Sequence, residues 1–337
     1  SRPDLQARNL RACGVPLIRM GQFELAREKL ELARRLAENL PDQREHMFVW
    51  NNLGIVYFQQ RRLKDALSHY EQAFRIARDQ LREPHTAAVR LGNISDALEK
   101  LAEFERARAC AKEMLETYRT IDPWVSSRHL HCIGTAWALL GAVELAQGDT
   151  RNAEYYWDLA AAIARAEGHA RRLGNRLVGQ GRVALAKHAF DRAIRRLDEA
   201  VSQFQSVGDK SGLGRAKLFL AIAWHHSGDR ERARRYYEEG ASLRHAGSFF
   251  GLCARWGILL LGEGQVDDAG ELLQDAVAHC ERLLAEAESF YEPLYVLPLA
   301  RLALAHIDLS EAGREAALVA YGRAMAVCGA RGVVDSA

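Results

Sequence analysis

The sequence has little net charge, no paired cysteines and no long apolar run. Its 46 basic and 44 acidic side chains leave a formal charge of +2. No whole-chain field therefore draws it to nucleic acid, and no direct nucleic-acid partner is expected. The six cysteines (Cys13, Cys110, Cys132, Cys253, Cys280, Cys328) form no C-x-x-C pair. With apolar or small neighbours they read as buried free thiols in a reducing compartment, and the expected location is the cytoplasm. No apolar run approaches the roughly 18 residues of a membrane helix. The first residues show no n-region, h-region and cleavage site, so no secretory leader is expected among them. Runs alternating Val, Ile and Thr are missing as well, which removes β-strands from the reading.

The motifs of catalysis are missing in the same way. There is no G-x4-G-K-[ST] phosphate loop. The glycines of GEGQVDDAG and GLGRAK follow no strand, so neither is a dinucleotide fingerprint. There is no H-E-x-x-H. His129 and His131 alternate with Leu130, and His225 and His226 are adjacent, so neither pair has the i, i+4 placement that aims two imidazoles from one helix at a metal. No Ser, Cys or Thr carries a local nucleophile signature. The chain is expected not to be an enzyme and to use no cofactor and no metal.

What the sequence has is a repeat. In WNNLGIVYFQQRRLKDALSHYEQA, residues 50–73, Trp50, Leu53, Gly54 and Tyr57 lie on one helical face. Ala66, Tyr70 and Ala73 mark one face of a second helix, and QQRRLK between them forms the turn. With Gly54 as anchor, equivalents fall at 14, 54, 95, 141, 181, 221, 257 and 305. Examples are Gly14 with Ala26, Leu30 and Ala33, and Gly141 with Ala153, Trp157 and Ala160. Steps between anchors are 40, 41, 46, 40, 40, 36 and 48 residues. Turn signals sit at Gly21, Gly148-Asp149, Gly228-Asp229 and Gly264 inside the pairs, and at Pro84, Asp122-Pro123, Gly168, Gly208-Asp209 and Gly247 between them. Two segments break the regularity: 122–126, and 290–298 with Pro293 and Pro298, where a bent or lengthened connection is expected.

These spacings match the tetratricopeptide pattern W-x2-L-G-x2-Y…A-x3-F/Y-x2-A, at a period longer than its usual length of about 34. The expected fold is all-α, a right-handed α-solenoid of about eight tetratricopeptide-like helix pairs in one superhelix over 1–337. Its repeats are placed at 7–40, 47–80, 88–121, 134–168, 174–208, 214–247, 250–286 and 298–330. The extra residues are expected in longer helices.

In such a stack the first helices line a concave groove. Residues of these helices that do not face the paired helix are candidates for ligand binding: Arg8, Arg11, Asn51, Asn52, Phe58, Asn93, Asp96, Arg182, Arg215, His225 and Arg255. Asn can donate to and accept from a peptide backbone, and Arg can hold a carboxylate with two bonds. The alternative use of Asn51, Asn52 and Asn93 is to tie adjacent helices together.

The Asn51-Asn52-Leu53-Gly54 block at a period near 40 is similar to kinesin light chain and to bacterial regulatory arrays. The G-D-x3-A turns, Gly148-Asp149 to Ala153 and Gly228-Asp229 to Ala233, resemble the sensor arrays of signal-transduction ATPases with numerous domains, including the bacterial maltose-regulon activator and large LuxR-type regulators. The resemblance implies a non-catalytic sensor. It would bind a peptide, protein or small-molecule inducer in its groove and act on other domains of its own longer chain. The start at Ser1 without a methionine fits such a fragment. A constitutive protein-binding scaffold or adaptor, with no small-molecule inducer, is the other reading.

Overall fold

The computed structural model describes residues 2–38, 40–121, 129–242 and 249–330, the side chains of Arg19 and Phe249 excepted. All regular structure among the described residues is helical. The helices group into two compact units, Ser1–Ala136 and Trp137–Ala337, where the sequence reading takes 1–337 as one array. The first unit holds α1 (Pro3–Arg19), α2 (Phe23–Ala37), α3 (Gln43–Gln59), α4 (Leu63–Arg75) with a π-helical turn at Ile76–Gln80, α5 (Pro84–Lys100) and α6 (Phe104–Ile121). The division falls inside α7 (Leu130–Ala146). The second unit continues with α8 (Thr150–Ala166), α9 (Ala170–Ala186), α10 (Phe190–Ser206), α11 (Lys210–Ser227) and α12 (Arg230–Ser242). It ends with α13 (Phe249–Gly262), α14 (Val266–Glu286), α15 (Tyr291–Ile307) and α16 (Glu311–Val327). Consecutive helices pack as antiparallel pairs across three-residue turns such as Met20–Gln22.

The long period resides in the helices. The expected repeat starts at 47, 88, 174 and 214 lie one turn inside helices that begin at Gln43, Pro84, Ala170 and Lys210. The apolar motif marks only core-facing positions, whereas the added turn is fixed by caps. Asp42 accepts from the backbone N–H groups of Arg44 and Glu45, and Asp209 from that of Gly212. Pro84 opens α5 where its missing N–H costs nothing. The last repeat departs most. Tyr291–Ile307 is one helix that includes Pro298, so most of the segment 290–298, expected as a bent or lengthened connection, is helix instead. The additional length lies in the 21 residues of α14. The other irregularity, 122–126, lies outside the described residues.

Inside each pair one steric rule recurs. A Cβ built on Gly54 would stand 2.5 Å from the Tyr70 ring, one on Gly141 2.8 Å from Trp157, one on Gly181 2.6 Å from Leu197, and one on Gly257 2.8 Å from Leu273. In every case the large residue follows sixteen positions later. The small residue therefore admits a side chain of the second helix, not its backbone. The third pair departs from the rule: Ser95 and Ala111, sixteen positions apart, are both small and buried, and the Ser95 hydroxyl donates to the Ala107 carbonyl at 2.8 Å.

The turn within each pair passes through a residue with positive φ. Gly21, Gly148, Gly228 and Gly264 fill that place as expected, but Arg61, Ala102, His188 and Leu309 hold the same left-handed conformation without being glycine. Such a residue is strained by about 1–2 kcal/mol. Leu309 is 78% exposed and makes no packing contribution to lose. Leu309→Gly is therefore expected to raise stability by about 0.5–1 kcal/mol, the strain released less the entropy that glycine adds to the unfolded chain. A thermal melt of the two proteins checks this.

The cysteines are all free, but not all buried as expected. Cys13 is exposed and Cys110 half-buried, while Cys132, Cys253, Cys280 and Cys328 are buried. No described helix is long and apolar enough to cross a membrane.

Candidate functional site

The sequence-predicted residues fall in two sets. Arg8, Arg11, Asn51, Asn52, Phe58, Asn93 and Asp96 belong to the first unit, and Arg182, Arg215, His225 and Arg255 to the second.

In the first unit the set cross-links α1, α3 and α5. Arg8 donates to Asp42 at 2.8 Å and Arg11 to Glu45 at 2.7 Å, so both arginines tie α1 to the first turn of α3 or its cap. Burial pushes the Asp42 carboxyl up, but the bonds from Arg8 and from the backbone N–H groups of Glu45 and Arg44 outweigh it and hold the group below its ordinary value. Glu45 is only 4% exposed, so Arg11 neutralises a carboxylate that water barely reaches. The Arg11 guanidinium also lies 5.0 Å from the Phe48 ring centre, within cation–π range.

One turn further along, the three asparagines form an amide row. Asn93 Nδ2 donates to Asn51 Oδ1 at 2.8 Å, joining α5 to α3, and Asn51 Nδ2 reaches Asn52 Oδ1 at 3.4 Å. Asn51 and Asn52 are buried, and Asn93 is half-buried. The row does tie helices together. It also leaves Asn93 with one N–H and its carbonyl oxygen beyond the bond to Asn51. Phe58 and Asp96 are half-buried on the same two helices.

In the second unit the first helices α9 and α11 are linked in the same manner. Arg215 donates to Asn175 across α11 and α9, and Arg182 of α9 lies 5.4 Å from the Phe219 ring of α11. His225 stacks on His226 at 5.8 Å, and His226 stacks on Phe190 at 5.6 Å. Burial, then the positive charges of His226, Arg230 and Arg255, keep His225 below its ordinary value. Arg255 is half-buried and is itself pulled down by loss of hydration, although the Tyr237 phenol opposes the shift. Among the described residues no group of three or more His, Cys, Asp and Glu could hold a metal ion. A hollow between α14, α15 and α16, floored by Leu284, Leu294 and Leu297, contains none of the predicted residues.

One residue escaped the sequence reading. Arg90 of α5 is 8% exposed, and its Nε bonds to nothing. Counting five residues back from each anchor places it with Val49, Ala136, Ala216, Leu252 and Ala300, which are buried and apolar, and with the exposed Asn9 and the half-buried Arg176. Arg176 shares that register, so the sequence alone does not single Arg90 out; its burial does.

Paired helices with a small-against-large contact sixteen residues apart, stacked through their first helices, define a tetratricopeptide-type fold. The tetratricopeptide repeat family model matches residues 14–79 and 45–120, all within the first unit. No curated protein sequence matches the chain. Solved structures share its fold. A Rap protein in complex with competence and sporulation factor superposes with a TM-score of 0.69 at 16% identity, covering 84% of this chain and 77% of its own. The Rap conjugation gene regulator of plasmid pLS20, in complex with the Phr* peptide, gives 0.66 at 15% identity over 96% of this chain and 97% of its own. A signal transduction ATPase with numerous domains from Pyrococcus horikoshii, which carries a tetratricopeptide repeat sensor, gives 0.56 at 16% identity. That match covers 95% of this chain and 52% of the ATPase. At these identities the likeness is one of fold.

Proposed function

We propose that the chain is a non-catalytic sensing module that binds an extended peptide, or an extended segment of a protein, along the first-helix face of its first unit. The observation that carries this reading is the amide row Asn52–Asn51–Asn93. It crosses from α3 to α5 and leaves hydrogen-bonding capacity on the half-buried Asn93. A peptide backbone presents an N–H and a C=O at every residue, and a fixed carboxamide answers both with one side chain. Arg11 on Phe48 supplies a charged and apolar neighbour on the same helices. Two solved proteins of like fold, both Rap proteins, are complexes with a peptide or a signalling factor, which supports the same use here. The likeness to a multidomain ATPase with a tetratricopeptide sensor supports a place within a larger cytoplasmic signalling ATPase or regulator. There the bound peptide would be the inducer, with no contact to nucleic acid or membrane.

A random-peptide display selection against the immobilised chain tests this. Peptides enriched on the native protein are expected to lose about tenfold or more in affinity for Asn93→Ala, the scale of one or two lost bonds to a fixed carboxamide. Undiminished affinity for a folded double variant, Asn52→Ala with Asn93→Ala, would overturn the reading. So would a selection that enriches nothing.

A further inference from the structure

Where α5 begins, α6 ends and α7 is about to start, three aromatic rings meet. His85 lies 5.6 Å from Tyr118 and 5.1 Å from His129 between ring centres, and Tyr118 lies 5.4 Å from His129. The Tyr118 hydroxyl is 3.1 Å from His85 Nδ1. His131 follows two residues on, with its Nε2 at 3.1 Å from Cys132 Sγ. The charge facing this cluster is almost wholly of one sign. His129, His131 and Arg90 each push His85 down after burial has done so, and Glu83 alone opposes them. Glu83 is already engaged by Arg44 and by the Thr86 hydroxyl at 2.7 Å.

Arg90 is the sharper anomaly. The residue is 8% exposed, its Nε lacks any hydrogen bond, and no carboxylate among the described residues pairs with it. Loss of hydration pulls it down to about 10, so it remains a cation at neutral pH. The tyrosines beside it, Tyr70 and Tyr118, are pushed upward by burial and stay neutral. The Phe48 ring, 6.0 Å away, stands at the limit of cation–π range. An attraction of that size does not offset the burial of an unpaired charge. Its position in the repeat is one that Val49, Ala136 and Ala216 fill without charge, so the fold does not require it.

We propose that Arg90, His85 and His129 form a subsite for a carboxylate, the acidic side chain or C-terminus of the bound peptide. It rests on the peptide-binding reading for the source of that carboxylate. Arg90 supplies the fixed cation, with N–H donors in a planar fork. His85, exposed at the second position of α5, adds a second donor once protonated. An anion there favours the imidazolium form, so binding takes up a proton and tightens as pH falls through the histidine range. Phe48 joins the subsite to Arg11, because Arg11 and Arg90 both approach its ring.

The probe is acetate, titrated into full-length protein with carbon-13-labelled histidine rings. Saturable shifts of the His85 and His129 signals are expected, with affinity about tenfold weaker in Arg90→Gln. Affinity should be greater near pH 5.5 than near pH 7.5. His85→Gln alters an exposed residue, so it tests the subsite even if Arg90→Gln fails to fold, and it too should weaken binding. Unsaturable shifts, native affinity in His85→Gln, or saturation by inorganic phosphate but not acetate would each overturn the assignment. Saturable acetate shifts together with a display selection that enriches nothing would condemn the peptide-binding reading and not the subsite. Asn93-dependent peptide capture by the native protein with acetate shifts absent condemns only the subsite.

Discussion

Gly54→Val should destabilise the first unit by about 2–3 kcal/mol, read from the urea midpoint at unchanged slope. Even a single methyl group at this position would stand 2.5 Å from the Tyr70 ring, and Tyr70 is only 3% exposed among fully buried neighbours. The ring has nowhere to turn, so the strain must move α3 away from α4. Valine is a slightly better helix former than glycine, and the gain of a few tenths of a kcal/mol is too small to change the sign. A double-mutant cycle gives the more decisive result. Tyr70→Ala alone leaves a cavity and costs about 3–4 kcal/mol. Combined with Gly54→Val, the two losses should fall short of their sum by about 1–2 kcal/mol, because the new side chain occupies the space the ring has vacated. The third pair already does without the large ring, with the small Ser95 and Ala111 at these two positions. Additive losses would mean that the glycine matters for backbone approach instead.

That steric rule marks what was legible in the sequence. The apolar and small positions repeat at fixed offsets, and those offsets translate directly into helix pairs. Helix ends were less legible. Their starts depend on single caps such as Asp42 and Asp209, which precede the apolar motif by a full turn. At 290–298 the two prolines read as a break. Pro293 sits in the first turn of α15, where no hydrogen bond is lost, and Pro298 is accommodated inside the same helix.

The candidate site was legible by face and not by partner. Helical periodicity places Arg8, Arg11, Asn51 and Asn93 on the outward face of first helices. It does not say that Arg11 meets Glu45 or that Asn93 meets Asn51, because each bond joins neighbouring repeats 34 and 42 residues apart. Such pairing depends on how one helix pair stacks on the next, a quantity that no single repeat contains. Arg90 was missed for the opposite reason. Its register is apolar and buried in five other repeats but polar at Asn9 and Arg176, so only the burial of Arg90 itself shows a charge placed in the core.

Stacking between repeats also sets the second large effect. Phe204, in the last turn of α10, is fully buried and fills the angle between its own pair and the next. A Cβ on Gly174 of α9 would lie 2.9 Å from its ring, and one on Gly212 of α11 only 2.3 Å. Both first helices are thus hollowed by a glycine to admit one phenyl group. Phe204→Ala should cost about 3–5 kcal/mol, since rigid helices on either side cannot close over the cavity. In a repeat protein that loss falls on one nearest-neighbour contact and is not spread through the core. The variant should therefore lose cooperativity as well as stability: its urea transition moves to lower concentration and its slope falls as the pair before Asp209 and the pair after it begin to unfold separately. Gly212→Val attacks the same contact by overfilling it, and should broaden the transition in the same way with a smaller loss, about 1–3 kcal/mol. A sharp, merely shifted transition in both variants would show that coupling between these pairs runs through other contacts, such as the Arg215–Asn175 bond on the first-helix face.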